Sequence, residues 1–198
     1  VKLTVLSEKS STPREITIVR DVITVPTVTW SMKDADVAYL RISYFNDTTW
    51  NEFDKAVKEI KAKTTIPIVI FPGASHQISK EADAILFLSL LSGRNPDYLI
   101  GHHVQAVDEL EKMDIEIIPT AYLLIDGGRK SAVEYVTQTS PIPSDQPNIV
   151  RKTAVAGKFQ GKKIIYLDAG SGAIHSIPAE IIKSVNNLEM PLIVGGGI

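Results

Sequence analysis

The chain of 198 residues carries 21 lysines and arginines against 23 aspartates and glutamates, for a formal net charge of −2, and 44% of its residues are apolar. That balance excludes a disordered polymer and the one-signed electrostatic footprint of a nucleic-acid binder, and the length fits one domain with a substantial core. The chain contains no cysteine, which excludes a disulfide framework or thiolate metal site and fits a cytoplasmic protein, and no apolar run reaches the roughly 18–20 residues of a membrane span.

Taken in order, Leu3-Thr4-Val5-Leu6 reads as a short buried strand, and Pro13, behind Thr12, as the first residue of a helix. Residues 16–30 are rich in Val, Ile and Thr, hold Pro26 and show no clean period. Val37-Ala38-Tyr39-Leu40-Arg41-Ile42 resembles a second strand, with Ser43 at its end. Thr49-Trp50-Asn51-Glu52 has the form of a capping box, and Trp50, Phe53, Val57 and Ile60 recur at helical steps, so Trp50 is expected in a core. Residues 66–71 form a third strand, stopped by Pro72-Gly73, and the fourth follows at 84–88. The gap barely meets the dozen or so residues that a parallel crossover needs, so an irregular loop or one turn is expected in place of the helix.

Asn95-Pro96-Asp97 opens a helix running to about residue 112, and residues 115–124 hold a fifth strand. The segment from Asp126-Gly127-Gly128 to Pro147 is too long for an ordinary loop and reads as functional or as a strand-like excursion. Pro147 suits a helix start, with the end near Gly157 or Gly161. A sixth strand runs into Tyr166-Leu167-Asp168-Ala169-Gly170-Ser171-Gly172, followed by a helix at 178–185 and a seventh strand at 192–194. Strands near residues 4, 40, 69, 86, 119, 166 and 193, mostly separated by helical patterns, predict an α/β fold. The expected form is a modified TIM (β/α)8 barrel spanning 1–198 as a single domain, with the third helix replaced by irregular chain and the last unit missing. An open doubly wound sheet is the runner-up. The chain begins on Val1 and stops on a glycine triplet, where a phosphate turn normally leads into a helix, so a trimmed C-terminus is expected.

Gly170-Ser171-Gly172 and Gly195-Gly196-Gly197 each follow a strand. Glycine has no Cβ to hold a ligand away from backbone N–H groups, so two such turns on neighbouring rim positions point to a phosphate site. Neither matches the P-loop or the dinucleotide fingerprint. Asp168 stands at a strand end, where barrel enzymes keep catalytic groups, and Tyr166 points to the same side by strand alternation. Ser89, Ser92, Arg94 and Asn95 cluster after the fourth strand, where Arg94 either grips a diphosphate or ties down the loop. His76, His102, His103 and His175 lack metal-ligand spacing and are expected to be structural or solvent-facing.

Together with these turns, Ile68-Val69-Ile70-Phe71-Pro72-Gly73, Ser89-Leu90-Leu91-Ser92-Gly93-Arg94-Asn95-Pro96, Pro119-Thr120-Ala121-Tyr122-Leu123-Leu124-Ile125 and Pro141-Ile142-Pro143 make the chain resemble the geranylgeranylglyceryl phosphate synthase family, which includes the heptaprenylglyceryl phosphate synthases. The resemblance is close over residues 66–198 and greatest to the archaeal-type branch. It implies a TIM barrel lacking its third helix and Mg²⁺-dependent transfer of geranylgeranyl from its diphosphate to the C3 hydroxyl of sn-glycerol 1-phosphate. It further implies that Tyr166, Leu167, Asp168, Ala169, Gly170, Ser171, Gly172, Gly195, Gly196 and Gly197 hold glycerol phosphate, with Asp168 orienting or deprotonating the hydroxyl. A homo-oligomer follows from the same resemblance. Position 168 is usually Glu in the family. The first strand there leads into Asp-Pro-Asp, where this chain has Ser7-Glu8-Lys9, and Arg41-Ile42-Ser43 stands in place of a Gly-Gly-Ser or Gly-Gly-Thr end. Glu8 and Ser43 are thus the nominated metal ligands. The alternative expectation is a catalytically impaired barrel that binds a phosphorylated ligand in a binding or assembly role. An isomerase or aldolase, a third possibility, would want a second acid or a lysine at a strand end.

Overall fold

A computed structural model describes residues 2–6, 12–17, 26–34, 37–42, 46–63, 65 and 67–196. The chain divides into two compact units, Val1–Thr64 and Thr65–Ile198.

In the first unit, β1 (Lys2–Val5) pairs antiparallel with β2 (Arg14–Thr17), and β3 (Val28–Asp34) with β4 (Val37–Ile42). These hairpins correct the expectation of parallel barrel strands near residues 4 and 40 and of a helix after Pro13. The physical reason lies in the pairing of Arg14-Glu15-Ile16-Thr17 with Lys2–Val5, in which Ile16 finds Leu3 directly opposite and Glu15 finds Thr4. β1 and β2 are exposed on both faces, so the strand near residue 4 is not buried. Helix α1 (Thr49–Lys63) buries Ala56, Val57 and Ile60, while its Glu52 carboxylate accepts hydrogen bonds from the N–H groups of Thr27 (2.7 Å) and Val28 (3.2 Å). Trp50 is 49% exposed and stacks on Phe53 instead of entering a core.

The second unit follows the predicted order. Strands β5 (Val69–Ile70), β6 (Ala84–Leu90), β7 (Glu116–Leu124), β8 (Ile164–Asp168) and β9 (Leu192–Gly195) form one parallel sheet in strict chain order. Sequential parallel neighbours make the arc of a barrel; a doubly wound sheet would reverse its strand order. The β6–β7 connection holds a π-helical turn (Asp97–Gly101) running into α2 (His102–Leu110). The β7–β8 connection holds α3 (Ala132–Thr137) and α4 (Pro147–Phe159), and the β8–β9 connection holds α5 (Ala179–Asn186). Residues 71–83 between β5 and β6 contain only turns and bends, as the short connection predicted. The long segment after β7 proves to be ordered chain. Ser131 caps α3 by accepting from the Glu134 N–H (3.1 Å), and Ile142 adds a parallel bridge beside Ile125.

Strand alternation sorts the side chains of this sheet. Ala121, Leu123, Ile165 and Leu167 are fully buried against Val150 and Ala154 of α4 and Ile181 and Val185 of α5. Each large apolar side chain removed from water here stabilises the unit by roughly 1.5–3 kcal/mol. The opposite face of the same strands presents Leu88, Leu90, Tyr122, Leu124 and Tyr166, which pack together toward the barrel interior. Leu124, Asp168 and Gly195 stand in register at the C-terminal ends of β7, β8 and β9. Among the described residues, no helix is long and apolar enough to cross a membrane.

Candidate active site

Asp168 is the last residue of β8, and both of its carboxylate oxygens are engaged. Oδ1 accepts from the Gly170 N–H at 2.7 Å, and Oδ2 from the Tyr122 hydroxyl at 2.5 Å. The first bond shapes the turn, because Gly170 has a φ of +86° and Gly172 one of +72°, conformations that side chains resist. Across from it, Gly196 has a φ of +76°, and a Cβ there would lie 2.6 Å from Asp168 Oδ1 and 2.7 Å from the Gly170 nitrogen. A Cβ on Gly195 would run into the Tyr166 hydroxyl. Two glycine turns therefore close around one carboxylate with no room for a side chain between them. Among the described residues, no acceptor pairs with the N–H groups of Ser171 and Gly172, which leaves them for an anion.

The structure brings together Tyr166, Asp168, Gly170, Ser171, Gly172, Gly195 and Gly196 at one rim. Gly197 lies outside the described residues, as do Ser7, Glu8, Lys9 and Ser43. Two nominated residues contribute differently from the expectation. The Leu167 side chain is wholly buried in the core on the helix side of the sheet, and Ala169 is 2% exposed in the same core with its N–H bonded to the Gly195 carbonyl (3.0 Å). Strand alternation turns both side chains away from the rim face that Tyr166 and Asp168 share.

Sequence reasoning did not single out Tyr122 as a site residue. Tyr122 stands opposite Tyr166 in the β7–β8 register, a placement visible only once the strands are aligned. With Phe71 the two rings form an aromatic cluster: Phe71–Tyr166 centroids are 4.9 Å apart, Phe71–Tyr122 5.6 Å and Tyr122–Tyr166 5.8 Å. Burial, then the charge of Asp168, pushes the Tyr122 hydroxyl's pKa well above the usual phenol range, and the same two causes raise that of Tyr166. Both hydroxyls thus stay protonated donors. Gly127 approaches the 169–173 turn closely, and its carbonyl accepts from the N–H groups of Ile174 (2.8 Å) and His175 (3.1 Å).

Beside the aromatic cluster opens a cavity of about 260 Å³, lined by Phe71, Ile78, Leu86, Leu88, Ala106 and Tyr122 among others. The helix-free connection at 71–83 forms one wall and α2 another. His103 is buried here against Phe87 (centroids 4.0 Å apart), and burial lowers its pKa. The cluster after β6 resolves as scaffolding. Arg94 donates to the Leu91 and Gly93 carbonyls, the Ser92 hydroxyl accepts from the Leu124 N–H, and Asn95 donates to the Thr137 carbonyl. Ser89 accepts from the Lys162 ammonium at 2.5 Å. Among the described residues no group of three His, Cys, Asp or Glu side chains is placed to hold a metal.

A parallel sheet in barrel order, with a carboxylate between two glycine turns and an apolar cavity beside it, defines a protein of the α/β barrel class. The profile of the PcrB family matches residues 42–198, and the chain belongs to that family. It is 50% identical over 151 residues to the geranylgeranylglyceryl phosphate synthase of Zunongwangia profunda, covering 76% of this chain and 64% of that protein. The corresponding synthase of Thermococcus kodakarensis is 42% identical over 146 residues, covering 73% and 57%. Among solved structures, (S)-3-O-geranylgeranylglyceryl phosphate synthase of Thermoplasma acidophilum, in complex with sn-glycerol-1-phosphate, matches with a TM-score of 0.70 at 39% identity, covering 80% of this chain and 63% of that one. The chain spans about three-fifths of the length of the curated relatives it matches, 64%, 59% and 59% for three of them.

Proposed function

We propose that the protein transfers a geranylgeranyl group from its diphosphate to the C3 hydroxyl of sn-glycerol 1-phosphate, releasing diphosphate. The observation that carries this reading is the meeting of two unlike surfaces: glycine turns with free backbone donors around Asp168, and an apolar cavity reaching Tyr122 from the other side. The relatives' names and the glycerol phosphate bound by the Thermoplasma acidophilum protein support it. An allylic diphosphate reacts by separating charge, so the enzyme must hold an alcohol against a developing cation and keep water away. The faces of Phe71, Tyr122 and Tyr166 offer negative potential to such a cation, and the Asp168 carboxylate takes up the proton that the alcohol loses.

The Mg²⁺ requirement and assembly as a homo-oligomer are parts of the proposal that rest on the family resemblance, and a cytoplasmic location rests on the absence of cysteine. The nominated metal ligands Glu8 and Ser43 lie outside the described residues, and among the described residues no group of three His, Cys, Asp or Glu side chains fits a metal centre. Loss of activity in EDTA and its return with Mg²⁺ would carry that part.

The test is incubation of the intact protein with labelled sn-glycerol 1-phosphate and geranylgeranyl diphosphate, with and without Mg²⁺. Organic-soluble label is expected, and its absence in both conditions would sink the reading. A second reading, a phosphate-binding barrel without turnover, is favoured by the antiparallel hairpins that stand where two barrel strands were expected. Binding of glycerol phosphate without product would establish it.

A further inference from the structure

Resting on that reading, we propose that Tyr122 is the proton relay between the acceptor hydroxyl and Asp168. The apolar cavity that suits a prenyl tail is lined by Tyr122, and Asp168 is not among its lining residues. One oxygen of Asp168 points into the glycine turns, where it accepts from the Gly170 N–H, and the Gly196 backbone closes over that oxygen. The other accepts from the Tyr122 hydroxyl. The residue that meets both the carboxylate and the cavity is Tyr122, whose hydroxyl donates to Asp168 and whose ring, in contact with Phe71 and Tyr166, belongs to a side chain that lines the cavity and is buried as a whole.

An aspartate is one methylene shorter than a glutamate, and at position 168 its Oδ1 is held within the turn by the Gly170 N–H. The tyrosine hydroxyl spans the remaining distance. In the transfer step the acceptor oxygen forms its bond to C1 of the prenyl group as the bond from C1 to diphosphate breaks, and the electron pair leaves on diphosphate. The acceptor's proton passes to the Tyr122 oxygen while the Tyr122 proton passes to Asp168 Oδ2. No free tyrosinate forms, which is consistent with a phenol whose ionisation is opposed by burial and by the neighbouring carboxylate.

The test uses the intact protein and three variants: Tyr122→Phe, Asp168→Glu and the two combined. Tyr122→Phe is expected to lower kcat by about 100-fold, with KM for glycerol phosphate within about threefold. Adding Asp168→Glu, whose longer side chain reaches the acceptor directly, is expected to restore kcat at least tenfold over Tyr122→Phe alone. A tyrosine that served only packing would give no such rescue. Tyr122→Phe turnover within twofold of the parent, or a double variant no better than Tyr122→Phe, overturns the relay and leaves the proposed function standing. A parent protein without turnover overturns both. Unchanged thermal midpoints for folded Tyr122→Phe exclude collapse of the sheet as the cause.

Discussion

At the β8–β9 end of the rim, three glycines with positive φ bring backbone nitrogens to within a few ångströms of one carboxylate, and almost no side chain intervenes. At the β5–β6 end, the helix-free connection and α2 surround a cavity with side chains that are mostly apolar, with His102 and His103 as the titratable imidazoles. Both regions belong to the same parallel sheet, so the difference is set by local sequence and not by fold. The first region is made by removing side chains, and the second by removing a helix. Tyr122, on the central strand β7, is the residue that touches both.

Each region can be broken without the other. Asp168→Asn is expected to have the largest effect, lowering turnover by roughly 10²–10⁴-fold because the proton acceptor is lost. Calorimetry should find glycerol phosphate binding largely retained, and turnover close to the parent's would remove Asp168 from the chemistry. Gly196→Ala comes next. It forces a side chain into φ +76° and against the Gly170 nitrogen, a strain of about 1–3 kcal/mol that is expected to weaken glycerol phosphate binding by roughly 5- to 150-fold. Binding of a prenyl thiodiphosphate should be unchanged.

Ala106→Phe tests the other side. The ring would fill part of the cavity and raise KM for geranylgeranyl diphosphate by about tenfold, with a smaller rise for a shorter prenyl donor and none for glycerol phosphate. Equal effects on all three substrates would contradict the division of labour. The smallest effect concerns His103, whose pKa is lowered by burial at the apolar end. Below its unfolded value of 6.5 the unfolded chain binds the proton and the folded chain resists it, so stability is full above that pH and declines as pH falls toward the lowered folded value. Thermal midpoints measured between about pH 7.5 and 5.5 should fall, and His103→Phe should flatten the profile.

The second unit was legible because its parallel strands are apolar runs bounded by Pro and Gly, and because a thirteen-residue gap between residues 70 and 84 has too little chain for a crossover helix. The glycine turns were visible for the same reason: positive φ leaves a mark in the sequence. Tyr122 was not, because Pro119-Thr120-Ala121-Tyr122 shows no sign of which strand neighbour it will meet, and register is a property of pairs. Leu167 and Ala169 were nominated with the whole 166–172 stretch through the family resemblance, whereas strand alternation sends their side chains into the helix-packed core. The first unit was misread because short Val- and Thr-rich runs fit a buried parallel strand and an exposed hairpin equally well, and the paired register decides between them.

The most direct test is a crystal structure of the intact Asp168→Asn protein with sn-glycerol 1-phosphate and geranylgeranyl thiodiphosphate, which does not ionise. The glycerol phosphate's phosphate is expected in the Gly170–Gly172 and Gly196 turns, its free hydroxyl on the Tyr122 oxygen, and the prenyl chain in the cavity between residues 71–78 and α2. A prenyl chain bound elsewhere, or a hydroxyl that meets residue 168 with Tyr122 turned away, would contradict it.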